Sequence, residues 1–231
     1  MQLLGFDTAT PRVSVAVGRD GAAIAEIDLP PGRRHAEELV PAIQEVCGRA
    51  GVALDAIAAV CVGIGPGLFT GLRVGVTTAK VLAQALRIPV VGVPTLDLVA
   101  YPLRHATRLV VPTIDARRGE VFYALYRGVP GGLQRESDYE VGTPRELAGE
   151  LAARGDEVLI AGDGAQLHRA EFEVLEHVEL AGPAAAWPRA ASLLELATPR
   201  VEREEFCAPW ELEPLYLRAS DAEIEWDRRG L

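Results

Sequence analysis

The chain has 231 residues, 23 of them basic and 33 acidic, for a net charge of −10. Residues 1–105 carry nine side chains of each sign, whereas residues 106–231 carry 14 basic against 24 acidic ones. Nucleic-acid affinity comes largely from Lys and Arg neutralising phosphates, so direct RNA or DNA binding is disfavoured, as is adhesion to an anionic membrane.

A hydrophobic share of 49% with 24% charged residues is that of a folded soluble protein. No apolar run reaches the roughly 18 residues of a membrane span. The start, Met1 to Asp7, has no basic leader and meets an acid at once, which argues against a signal peptide. Cys47, Cys61 and Cys207 are odd in number, far apart and unlike a metal set, so a reducing cytoplasm is the expected compartment.

In chain order, Leu3–Thr8, Val13–Gly18 and Ala22–Leu29 read as three strands, the last stopped by Pro30-Pro31-Gly32. Arg34–Arg49 reads as a helix with Leu39, Val40, Ile43, Val46 and Cys47 on one face. Pro41 inside it removes one backbone hydrogen bond or kinks it. Ala58–Ile64 is a buried strand running into a Gly-rich loop, followed by a helix over Gly71–Arg87, a strand at Pro89–Val93 and a short helix near Thr95–Leu103. The pattern then restarts. Strands at Leu109–Ile114 and Val121–Tyr126 precede a helix at Pro144–Arg154, a strand at Glu157–Ala161 and a helix at Arg189–Ala197.

This restart predicts a duplicated α/β unit with lobes at 1–105 and 106–218 and an acidic tail, 219–231, read as loosely ordered. Asp7-Thr8-Ala9-Thr10-Pro11-Arg12-Val13 can be laid over Asp115-Ala116-Arg117-Arg118-Gly119-Glu120-Val121. Each begins with an Asp that ends a strand, and each opens one half.

The loop Gly63-Ile64-Gly65-Pro66-Gly67-Leu68-Phe69-Thr70-Gly71 fails as a P-loop, because Leu72-Arg73 stands where Lys-Ser/Thr is needed. It reads as a tight strand-to-helix turn with Thr70 as N-cap. On the helix behind it, Arg73, Thr77, Lys80, Gln84 and Arg87 form one narrow polar stripe. The remaining arc is apolar or small and wider than one core face requires. Within it Gly71, Gly75, Ala79 and Ala83 recur every fourth residue, permitting close approach either by the helix's own sheet or by a partner. The width of the arc favours burial on two sides.

His35, His105, His168 and His177 form no ligand pair, and no Gly-x-Ser-x-Gly elbow is present. Neither a metal site nor a catalytic residue is expected. Asp7 and Asp115 could hold a metal–nucleotide or cap their own turns, and Gly162-Asp163-Gly164 could admit a nucleotide or be only a β-to-α turn. Asp7, Thr8, Thr10, Asp115, Gly162 and Gly164 are the candidate nucleotide contacts.

Leu4–Thr10, Arg33–Glu37, Gly63–Gly75 (GIGPGLFTGLRVG) and Thr113–Val121 (TIDARRGEV) together resemble the bacterial TsaB (YeaZ) family, as do Gly162–Ala165 and Pro214–Arg218. The resemblance implies the actin-like/sugar-kinase/Hsp70 ATPase (ASKHA) fold with two related lobes. It implies a part in making threonylcarbamoyladenosine (t6A) on tRNA, as a noncatalytic activator of TsaD. TsaE would join the assembly, the chain alone would form a homodimer, and tRNA would be met only indirectly. The partner interface implied comprises Arg34, His35, Glu38, Gly71, Leu72, Gly75, Ala79 and Ala83. Thr95 and Val99 stand where the TsaD relatives carry two metal-binding His. The turns Asp7-Thr8-Ala9 and Asp115-Ala116-Arg117 lack the Gly usual in kinases of this fold. No cofactor of its own is therefore expected, with ATP or ADP possible at a partner interface. The alternatives are an ATP-dependent enzyme of the same fold or a metallopeptidase-like protein.

Overall fold

The computed structural model describes residues 1–32 and 34–218, so the acidic tail at 219–231 lies outside the described residues. The first half supplies strands β1 (Gln2–Asp7), β2 (Val13–Arg19), β3 (Ala22–Leu29), β4 (Ala59–Gly63) and β5 (Val90–Val93), with helices α1 (His35–Ala50), α2 (Phe69–Leu86) and α3 (Thr95–Ala100). The second supplies β6 (Leu109–Arg117), β7 (Glu120–Tyr123), β8 (Tyr126–Val129), β9 (Gly132–Arg135), β10 (Glu140–Gly142), β11 (Val158–Ala161) and β12 (Val178–Leu180). Its helices are α4 (Pro144–Arg154), α5 (Asp163–Leu167), α6 (Arg169–Phe172) and α7 (Ala190–Glu202).

The two sheets are built alike. The first runs β3-β2-β1-β4-β5 and the second β10-β7-β6-β11-β12, with the β8–β9 hairpin attached to β6. In each, the first three strands pair antiparallel and the last two run parallel to the central one. The duplication read from the chain is therefore a property of the fold.

Alternation along β1 sends Leu4 and Phe6 to a core under α1 and α2, and Leu3 to a second core on the opposite face. That second core is completed by Ala190, Leu193, Leu194 and Ala197 of α7. Gly5 lets α7 approach, because a Cβ there would stand 2.9 Å from Leu194 Cδ2. The Ala190 N–H donates to Ser14 Oγ at 2.8 Å, Cys207 pairs with Val90, and Leu212 is buried in the first core. A boundary at 105/106 thus separates the sheets but not the packing, since residues from 190 onward return to the first lobe.

α4 begins and ends where the sequence places it. Thr143 and Glu146 form a capping box, Pro144 opens the helix, and Gly155 closes it in the left-handed conformation. α1 runs unbroken through Pro41, which is exposed. Two expectations need correction. α2 starts at Phe69, so Thr70 is inside the helix and is not its N-cap; Leu68 precedes it, its N–H held by the Ala9 carbonyl at 2.7 Å. The expected strand over 121–126 breaks after Tyr123, because the Leu125 N–H turns to Ser137 Oγ at 3.0 Å and its carbonyl accepts from the Glu136 N–H. Among the described residues, no helix is long and apolar enough to cross a membrane.

Candidate functional site

The turn between β1 and β2 is closed on itself. Asp7 is fully buried; its Oδ1 accepts from the Ala9 N–H at 2.9 Å and its Oδ2 from the Thr95 hydroxyl at 2.8 Å. Burial pushes the Asp7 carboxyl up to about 6, against those two hydrogen bonds and the nearby His35. Thr95 also accepts from the Gly65 N–H at 3.1 Å and donates its own N–H to the Gly65 carbonyl at 2.7 Å. Thr95 thus ties the Gly-rich loop to Asp7. Val99 is buried in apolar surroundings with Ala161 and Ala181.

Thr8 and Thr10 are equally internal. The Thr8 hydroxyl donates to the Gly71 carbonyl at 2.8 Å, and the Thr10 hydroxyl to the Arg12 carbonyl at 3.2 Å. Nor does the Gly-rich loop leave a cradle: a Cβ on Gly67 would lie 2.2 Å from the Ala9 carbonyl oxygen. Asp7, Thr8 and Thr10 therefore present no surface to a nucleotide, and the first-lobe residues do not fit a phosphate group.

The second lobe repeats the turn in a more open form. Asp115 Oδ1 accepts from the Arg117 N–H at 2.8 Å, the counterpart of the Asp7–Ala9 bond. Arg117 also pairs with Asp115 at 3.0 Å, and Asp163 Oδ1 accepts from the Asp115 N–H at 3.2 Å. Burial, with Asp115 nearby, pushes the Asp163 carboxyl up to about 6. The three line a cavity of about 510 Å³ with Trp187. Gly162 and Gly164 serve the chain's own packing: a Cβ on Gly162, at φ +102°, would meet the Thr113 carbonyl oxygen at 1.8 Å, and one on Gly164 would meet Val121 at 3.0 Å. They make a β-to-α turn.

The small-residue row of α2 faces inward. Gly71, Leu72, Gly75, Ala79 and Ala83 are all buried. A Cβ on Gly71 would stand 2.0 Å from the Thr8 carbonyl oxygen, and one on Gly75 2.3 Å from Thr8 Oγ1. These five cannot touch a partner in this structure; the row seats α2 on its own lobe. The unburied part of the apolar arc lies elsewhere, at Val74, Leu82 and the exposed Val81. His35 is also removed from the surface. Its Nε2 meets the Thr10 carbonyl at 2.8 Å, joining the start of α1 to the β1–β2 turn. Arg34 is exposed and Glu38 half-buried. Replacing His35 with Ala should leave that carbonyl unpartnered and lower stability by about 1–3 kcal/mol in urea denaturation; a loss below a few tenths would show the bond to be dispensable.

One cluster escaped the sequence altogether. Asp97 Oδ1 accepts from the hydroxyls of Tyr126 at 2.5 Å and Tyr139 at 2.9 Å, from residues 29 and 42 positions away. No local pattern marks such a meeting. Among the described residues, no three His, Cys, Asp or Glu side chains converge to hold a metal ion.

Residues 30–226 match the family described as TsaD, tRNA N6-adenosine threonylcarbamoyltransferase. The chain is 34% identical to the tRNA threonylcarbamoyladenosine biosynthesis protein TsaB of Escherichia coli, over 94% of this chain and 95% of that protein. It belongs to the TsaB family. The YeaZ structure from Pseudomonas aeruginosa is 32% identical with a TM-score of 0.80, covering 94% of this chain and 99% of that one. At 9% identity, the activator of 2-hydroxyisocaproyl-CoA dehydratase from Clostridium difficile shares the fold alone, with a TM-score of 0.53 over 94% and 100% of the two chains. The chain thus has an α/β fold of the ASKHA kind, with two sheets.

Proposed function

We propose that this chain is a noncatalytic partner of TsaD that favours the enzyme's productive state during t6A synthesis on tRNA. A role in that pathway is supported by near-full-length likeness to proteins named for it. The noncatalytic part rests on one observation. The first-lobe turn, which carries three of the six candidate nucleotide contacts, is filled by Asp7, Thr95 and the Ala9 carbonyl. We assign the chain no cofactor of its own; ATP or ADP would be met only at the interface with the partner. A partner shifts such an equilibrium only by binding one state of the enzyme better than the other.

The surface we assign to TsaD is the outer side of α1 and α2, which pack beside each other. Arg34 and Glu38 remain in it, joined by Val40 and Val81, 48% and 59% exposed. TsaE joins the assembled pair, and in the absence of both the chain self-associates through the same side. Three free thiols suit a cytoplasmic site of action. The net charge of −10 supports indirect tRNA contact, so the isolated chain should show no saturable tRNA binding at physiological salt.

The test is reconstitution. Given tRNA and an activated threonylcarbamoyl donor, TsaD with this chain should modify the tRNA, this chain without TsaD should not, and modification by this chain without TsaD would sink the noncatalytic reading. Val40→Glu combined with Val81→Glu should abolish co-purification with TsaD while shifting stability by no more than about 1 kcal/mol in total. A complex that survives both changes would place the interface elsewhere.

A further inference from the structure

We propose that the two lobes are locked into one rigid body, so that this chain does not open and close around its cleft. Inter-lobe motion is the default where the seam is small and polar, and hinged closure around a ligand requires a seam that can part. This seam is apolar at its centre. Leu96 and Ala100 of α3, from the first lobe, pack with Val110, Ile114 and Phe122 of the second sheet, all of them buried. Rotating the lobes apart would expose that cluster.

Two polar ties lie along the same seam and line different cavities. In one, Asp97 of α3 takes the hydroxyls of Tyr126 and Tyr139, so a single carboxylate oxygen of the first lobe anchors two residues of the second. In the other, the strap that follows α7 crosses from lobe to lobe within four residues. The Leu215 N–H donates to the Ile64 carbonyl at 2.7 Å on the first lobe. Tyr216 packs on Phe69 of α2 with ring centres 5.2 Å apart. Leu217 joins the apolar cluster at the seam, and Arg218 donates to Glu120 Oε2 at 2.5 Å and to the Ala116 carbonyl at 3.0 Å on the second lobe. A rotation that spares one tie stretches the other. The lock holds whether or not TsaD is the partner, because every contact in it is internal.

Spin labels on the full chain test this, at Gln44→Cys on α1 and Ala153→Cys on α4, both exposed, with Cys207→Ser to remove the half-buried thiol. The expected result is one narrow distance peak between the lobes. Adding Arg218→Ala, Tyr126→Phe and Tyr139→Phe should cost that single peak, giving a broad or split distribution with the far-UV circular dichroism of the chain retained. A broad distribution before those changes, or a narrow one after them, overturns the proposal. Should the combined variant fail to fold, the doubly labelled parent is read with and without TsaD: one unshifted narrow peak in both supports the lock, and a shifted or second peak overturns it.

Discussion

Gly63→Ala should destabilise the folded chain by about 4 kcal/mol or more, a loss at the upper end for single substitutions. Gly63 closes β4 opposite the end of β1, and a Cβ there would stand 1.8 Å from Asp7 Oδ2. That oxygen has nowhere to retreat, since Asp7 is held by Ala9 on one side and Thr95 on the other. Displacing it breaks the Thr95 bond and leaves a buried carboxylate short of a partner, which adds desolvation to the steric cost. Urea denaturation of the two chains gives the number. Gly149→Ala on the exposed side of α4 is the control, because a Cβ there meets nothing within 4 Å and should stabilise by about 0.5–1 kcal/mol through helix propensity. Losses below about 1 kcal/mol at Gly63 would mean that Asp7 can move, and the closed-turn description would be wrong.

Asp7→Asn should change how stability depends on pH. The Asp7 carboxyl sits at about 6 in the folded chain against an ordinary 3.8, so the folded state binds this proton more tightly than the unfolded one. The penalty for burying the charged form is therefore absent below about pH 4, grows as pH rises through 4 to 6, and is complete above 6. At roughly 1.4 kcal/mol per unit, it amounts to on the order of 3 kcal/mol at neutral pH. Asparagine can still accept from the Ala9 N–H without carrying charge. Its stability should accordingly fall less steeply than the parent's between pH 4 and 6, with an advantage at pH 8 that vanishes near pH 4. Asp163 titrates in the same window and direction, so the difference between the two chains, rather than either curve, isolates Asp7. The same variant bears on function. If Asp7 is structural, Asp7→Asn should support TsaD as well as the parent does; a collapse of modification with an intact fold would make Asp7 a functional group.

Much of the architecture was legible because it is written in local patterns. Short β-like runs mark β1 and β2, alternation over Ala22–Leu29 marks β3, the run Ala58–Ile64 marks a buried strand, and Asp7 and Asp115 mark equivalent turns that form the same backbone bond. The site was harder. A helical period reveals that Gly71, Gly75, Ala79 and Ala83 share a face, but not what lies against it. Thr8, 63 residues before Gly71, decides that question. Gly75→Leu consequently tests the fold of the first lobe rather than an interface. His35 poses the same difficulty: flanking charges suggest a surface, while the Thr10 carbonyl draws the ring inside. The β8–β9 hairpin turns at Pro130-Gly131, a local turn signal that the strand reading passes over, whereas the meeting of Asp97 with two tyrosines depends on chain reversals that no spacing encodes.

The return of α7 to the first sheet also sets an order of assembly on the ribosome. When residue 105 has emerged, all five strands of the first sheet exist, yet Leu3, Ala16, Ala59, Cys61 and Val91 still await Leu193, Leu194 and Ala197. The sheet formed by β6 to β12 is contiguous in the chain and can close before α7 leaves the tunnel. The half whose synthesis starts first is thus the half that finishes last, with an apolar sheet face open to wrong partners in the interval.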